Sequence, residues 1–231
     1  MSASTHSPVL KHHFEDLGQQ HACERLGMWM FLATEILFFG GLFGAYTVYR
    51  LWYPEEFVFA SAQLNRTFAT INTMFLITSS LTITLAIRSA KLGDRGALIR
   101  NLLITAALAT AFMVVKGFEY AEDFHEQLVP GPSFSHKIAK DAADHGLDPG
   151  KVQLFLCFYY IMTGIHGIHI LVGIGCILWL VWEAWRGTIP PENYSTVEVV
   201  SLYWHLVDAI WLFLMPLLYL AGAGSGYVPH H

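Results

Sequence analysis

VQLFLCFYYIMTGIHGIHILVGIGCILWLVWEAW, residues 152–185, is the stretch that decides the fold. It stays apolar for longer than the roughly 20 residues a helix needs to cross the hydrocarbon core of a bilayer. It lacks the alternation over about 10 residues that marks a barrel strand. The stretch therefore reads as a membrane helix, with His166 and His169 inside it. Four further stretches read the same way. They cover about 26–52 (interrupted by Glu35), about 68–87, about 97–118 and about 197–220, the last holding His205 and Asp208. Backbone groups in lipid must be satisfied internally, so the implied fold class is all-α, a polytopic bundle of about five transmembrane helices over residues 26–220.

Composition agrees. The chain has 231 residues, 54% hydrophobic and 13% charged, against about 25% charged in soluble domains. A net charge of −5 without a cluster of Lys and Arg argues against nucleic acid as a partner. Cys23, Cys157 and Cys176 form no CxxC and no metal-ligand spacing. Residues 1–25 read as a polar, His-rich tail without the apolar core of a secretory signal, so insertion is expected to rest on the first span. A long acidic loop is expected at 121–151 and a second tail at 221–231, and His12, His13, His230 and His231 read as idle tail residues.

Turn chemistry separates the spans: Tyr53-Pro54, LGDRG at 92–96, Pro130-Gly131-Pro132 and Thr188-Ile189-Pro190-Pro191. Tyr49, Trp52, Tyr53, Trp182, Trp185, Tyr203, Tyr219 and Tyr227 fall near span ends, where amphipathic rings anchor at the interface. Lys11, Arg25, Arg88, Lys91, Arg95, Arg100 and Arg186 share the N-terminal side. Arg50, Arg66, Lys137, Lys140 and Lys151 share the other, the last three in or beside the acidic loop. The bias favours a cytoplasmic N-terminus.

Ionisable groups deep in a span are costly and therefore candidates for function. Glu35, His166, His169, His205 and Asp208 stand out, with Glu119 at the edge of the third span. Glu35 reads either as a proton-handling carboxyl or as a packing group bonded to a neighbouring helix. His166 and His169 are three apart and share a face, on which the glycines of GIHGIH leave room for close approach of another helix. His205 and Asp208 are also three apart, flanked by Trp204 and Trp211. These groups fit interhelical hydrogen bonding or metal ligation. A di-iron bundle needs two Glu-x-x-His motifs, and only Glu122-x-x-His125 is present, beyond the third expected span. A bis-His haem held by His166 and His205 stays open on spacing alone. A transporter is a third reading, disfavoured by the lack of paired halves or broken helices.

The motifs carry a resemblance. EVVSLYWHLVDAIWLFL at 198–214 is similar to the Glu and YWHFVDxxWLFL run of cytochrome c oxidase subunit III. TGIHGIHILVG at 163–173 resembles that family's TGxHGxHVxxG, and TEILFFGGLFGAY at 34–46 its SExxFFxGFFxAF. Asn72-Thr73 and Glu119-Tyr120 match its LNT and EY positions. The resemblance spans about 26–220. It implies a short, five-helix bacterial-type form: an accessory subunit with haem and copper in partner subunits, no metal and no catalytic residue of its own. Implied partners are subunits I and II of a haem–copper oxidase, bound phospholipid and, as further candidates, other respiratory-chain complexes. The implied location is the bacterial plasma membrane. Glu35, His166, His169, His205 and Asp208 would form an intramembrane polar network supporting proton uptake. Asn72, Glu119, Glu198, Trp204 and Trp211 occupy family-motif positions.

The sequence departs from longer members in two ways. Their two extra N-terminal helices are not expected in this sequence, so the lipid cleft would be completed by another subunit or be absent. A Glu expected about five residues before Asn72 is Thr67. The electron donor, cytochrome c or quinol, is bound elsewhere; cytochrome c is the first expectation, with a quinol oxidase or a nitric oxide reductase-associated homologue as the alternative.

Overall fold

The computed structural model describes residues 17–131, 134–187, 189 and 194–222. The terminal histidines His12, His13, His230 and His231 lie outside them, as do Lys11, Pro132, Thr188, Pro190, Pro191 and Tyr227. Among the described residues all regular structure is helical: α1 Leu17–Trp52, α2 Pro54–Ala62, α3 Arg66–Lys91, α4 Arg95–His125, α5 His136–Asp144, α6 Pro149–Arg186 and α7 Ser195–Tyr219. Five of these, α1, α3, α4, α6 and α7, are long and apolar enough to cross a membrane.

The helix boundaries follow from local chemistry. Pro54 and Pro149 open α2 and α6 at their first positions, where a missing N–H costs nothing. Asn65, Asp94 and Asp148 cap α3, α4 and α6 by accepting from Thr67 N, Ala97 N and Gly150 N at 3.1, 2.9 and 2.9 Å. Gly187 ends α6 with φ 80°, a left-handed cap that glycine adopts without a Cβ clash. Two boundaries differ from the sequence expectation. α1 begins at Leu17, inside the 1–25 stretch, and the 121–151 segment holds both the last turn of α4 and the short helix α5. Glu122 and His125 thus sit on a helix rather than in a loop.

α3, α4, α6 and α7 pack as a ring in which each touches two neighbours, and α1 lies outside against α7 and, to a lesser extent, α6. Half of the apolar window of α7 is buried within the chain but only 11% of that of α1. α1 therefore turns Trp29, Met30, Leu37, Leu51 and Trp52 outward, onto lipid or a partner rather than onto its own chain. Two side chains close the far end of α7, where helix-terminal carbonyls lack intrahelical partners. Tyr46 Oη donates to Leu217 O and Ser61 Oγ to Leu218 O, each at 2.7 Å.

Close helix approach occurs at Gly173, not at the GIHGIH glycines. A Cβ on Gly164 would meet nothing within 4 Å and one on Gly167 only Met113 Cε, whereas at Gly173 it would lie 2.6 Å from the Trp204 ring. Gly173 is thus where α6 admits the buried indole of α7. Gly173→Leu should lower thermal stability in detergent by about 1–3 kcal/mol, the usual cost of overpacking, while Gly164→Ala should leave the melting temperature within error.

Candidate functional site

The intramembrane polar groups do not form one hydrogen-bonded network; they fall into separate clusters between different helices. The first joins α1 to α6. Glu35 Oε2 lies 3.0 Å from His169 Nε2, both side chains 19% exposed. His169 Nδ1 is 2.9 Å from Ile165 O, a carbonyl that can only accept. The ring proton on Nδ1 is therefore committed to the backbone, and the Glu35–His169 contact needs a second proton between them. Tyr203 donates to His169 O at 2.9 Å, and the Phe39 ring meets the imidazole edge-on.

The second cluster joins α3 to α7. Ser80 Oγ donates to Asp208 Oδ2 and lies 3.1 Å from His205 Nδ1. With its own proton given to the carboxylate, Ser80 accepts from the Nδ1–H of His205. Above and below, Trp204 Nε1 donates to Ser79 Oγ at 2.9 Å and Trp211 Nε1 to Thr73 Oγ1 at 3.0 Å. These bonds fix the register of α7 on α3. At the helix ends Lys91 Nζ pairs with Glu198 Oε1 at 2.8 Å.

His166 stands apart from both. It is fully buried, stacked on Trp211 at 5.3 Å and met edge-on by Phe112, and neither ring nitrogen has a hydrogen-bond partner among the described residues. His166 and His205, the pair left open as haem ligands, face different neighbours. Asn72 is likewise buried, with both amide atoms unpartnered among the described residues. Thr73, beside it in the chain, receives the bond from Trp211, on which His166 stacks. No group of three His, Cys, Asp or Glu converges among the described residues.

Of the densest cluster's charged groups, the sequence reading singled out only Glu119. Lys116 on α4 is 5% exposed, and its ammonium donates to Tyr219 Oη at 2.7 Å and Tyr159 Oη at 3.0 Å while lying 3.1 Å from Glu119 Oε1. The rings of Tyr120, Tyr159, Trp211 and Tyr219 surround it, with centroids 4.6 to 5.8 Å away. Tyr219 donates to Glu119 Oε1 at 2.5 Å, and Tyr159 Oη lies 2.9 Å from the same oxygen and 3.0 Å from Asp123 Oδ2. The signal available in sequence was the spacing of Lys116, Glu119 and Asp123, which places them on one face of α4. The tyrosines that complete the cluster come from α6 and α7, which no local spacing announces.

An ammonium enclosed by aromatic faces and bonded to a carboxylate cannot be removed without leaving a buried, unanswered charge. Lys116→Met should destabilise the protein by about 3–5 kcal/mol, read by thermal unfolding in detergent. Glu122→Gln, at an exposed carboxylate one turn away, should not.

Comparison with known proteins identifies the setting of these clusters. The cytochrome c oxidase subunit III family matches residues 18–126 and 152–223. The chain is 32% identical over 200 residues to a protein of Thermostichus vulcanus named cytochrome c oxidase subunit 3, covering 84% of this chain and 86% of that one. It is 28% identical over 197 residues to a cytochrome bo(3) ubiquinol oxidase subunit 3 of Pseudomonas aeruginosa, covering 85% and 84%. It is also 29% identical over 207 residues to a heme-copper oxidase subunit I+III of Aeropyrum pernix, covering 85% of this chain but 22% of that longer one. By the extent of the family match, nearly all of the described helical bundle, the chain belongs to the cytochrome c oxidase subunit III family.

Proposed function

We propose that this chain is the accessory third subunit of a proton-pumping haem–copper oxidase in a bacterial plasma membrane. It packs against subunit I, with subunit II in the same complex, and binds phospholipid along its outer faces. Its N-terminus lies in the cytoplasm. The redox centres belong to the partner subunits, and no side chain of this chain acts in oxygen chemistry. Its part is to hold the complex together and to support proton uptake while dioxygen is reduced to water.

The observation that carries this reading is how three of the deep charged groups are matched. Glu35 meets His169, Lys116 meets Glu119 and Asp208 meets Ser80, each across or along helices of this chain. A transporter would direct such groups toward a shared substrate cavity, and a metalloenzyme toward a shared ion. Here they serve helix register and hold protons between fixed atoms. The outward apolar face of α1 supports docking against a larger membrane subunit. A subunit I+III relative, by its name, carries both subunits in one chain, which supports subunit I as the neighbour.

Cytochrome c is the electron donor in this proposal. A quinol is the alternative, favoured by the ubiquinol oxidase relative. The donor is distinguished by whether the purified complex oxidises reduced cytochrome c or a soluble quinol.

The function is tested with complex prepared with and without this chain, and with Glu35→Ala. Oxygen reduction per haem should persist at first in both altered complexes, while proton uptake or the number of turnovers before inactivation falls. Loss of haem, or loss of all oxygen reduction in Glu35→Ala, would contradict an accessory role.

A further inference from the structure

The cluster around Lys116 does not close its own proton count. Tyr159 Oη is within hydrogen-bond distance of three groups: Lys116 Nζ at 3.0 Å, Glu119 Oε1 at 2.9 Å and Asp123 Oδ2 at 3.0 Å. Lys116 donates, so it occupies one acceptor position of the phenol. The phenol has a single proton and can give it to only one of the two carboxyl oxygens. The other contact would then be oxygen against oxygen with nothing between. Tyr219 does not help, because its proton goes to Glu119 Oε1.

Charge leads to the same deficit. One ammonium faces two carboxyl groups, and all three side chains are buried: Lys116 at 5%, Glu119 at 0% and Asp123 at 4% exposure. Lys116 and Glu119 neutralise each other as a bonded pair. Among the described residues Asp123 has no cation within bonding distance, and an unpaired ionised carboxylate is the costliest group to leave in a dry interior. Both deficits are met by one hydrogen ion on Asp123. The Asp123 hydroxyl then donates to Tyr159 Oη, Tyr159 donates to Glu119 Oε1, and every contact in the cluster has its proton.

We propose that Asp123, with Tyr159 and Glu119 behind it, is a buried proton-binding site that exchanges one proton with water at the α4 C-terminal end of the bundle. On loading, an O–H bond forms at Asp123 Oδ2 with a proton taken from water. On release that bond breaks, the proton returns to water and a carboxylate remains. The position suits exchange: Asp123 lies in the last turn of α4, between the exposed Glu122 and Glu126. Those carboxylates gather protons at the rim. The other titratable groups that face the site are Tyr120 on α4, Tyr160 on α6 and Tyr219 on α7, with His166 one level deeper on the Lys116 side. The site is built from this chain's own side chains and stands apart from the oxidase reading, so its failure would leave the family assignment untouched.

The test is infrared spectroscopy of the purified complex, with aspartate labelled by carbon-13 at the carboxyl carbon. The wild type should show a protonated-carboxyl stretch that moves on labelling and again in heavy water. Asp123→Asn, whose amide can make the same bond to Tyr159, should assemble and lose one carboxyl's share of that band. Tyr159→Phe, which removes the hydrogen-bond partner but keeps the ring, should shift the same component rather than abolish it. It serves as the deciding variant if Asp123→Asn does not assemble. A protonated-aspartate band that is identical in wild type and in the assembled variants would overturn the proposal, as would the lack of any such band in the wild type.

Discussion

A polar side chain inside a bilayer is answered by another protein group or not at all, because lipid offers no hydrogen bond. That constraint organises this chain more than apolar burial does. An ionisable group at mid-span costs about 2.5–3.5 kcal/mol or more when unanswered, so most such residues recruit a partner from a neighbouring helix, His166 being enclosed by aromatic rings instead. Glu35 on α1 finds His169 on α6, Asp208 on α7 finds Ser80 on α3, and Lys116 on α4 finds tyrosines from α6 and α7. The bonds cross between helices far apart in sequence and fix which face of each helix turns inward. Apolar side chains are then free to face outward, and α1 in particular presents them almost entirely to its surroundings.

How much of this could be read from sequence depended on distance along the chain. Apolar runs of about 20 residues are a local property, so the membrane-crossing class of fold was open to reading, as was the resemblance carried by contiguous motifs. Spacing within one helix could place His166 and His169 on a shared face, but not tell that one would be enclosed by Phe112 and Trp211 while the other paired with Glu35. Nor could it tell that Gly173, not Gly164, admits Trp204. Lys116 was hidden for a further reason. A lysine near the end of an apolar run reads as a side chain reaching for water, and only the three-dimensional meeting of Tyr159, Tyr219 and Glu119 reveals an ammonium kept dry.

The clusters also divide by helix pair. Trp204 and Trp211 bind α7 to α3 through hydroxyls, and Gly173 brings α6 against α7. These contacts close α7 onto its two neighbours in the ring of four helices. α1 is joined to it at Glu35–His169, at Phe31–Tyr203, at Glu24–Ser195 and at the C-terminal end of α7. A four-helix ring with one apolar helix largely uncovered leaves a broad apolar face turned away from the chain's own core.

The measurement that tests the account most directly is purification through a tag on this chain in mild detergent. It is followed by an optical spectrum and metal analysis of the complex and of the chain after separation. The account predicts haem bands only in fractions that retain the larger subunits, with the separated chain colourless and free of iron. A Soret band or stoichiometric iron on the separated chain would mean that its intramembrane histidines are ligands, and would contradict the account.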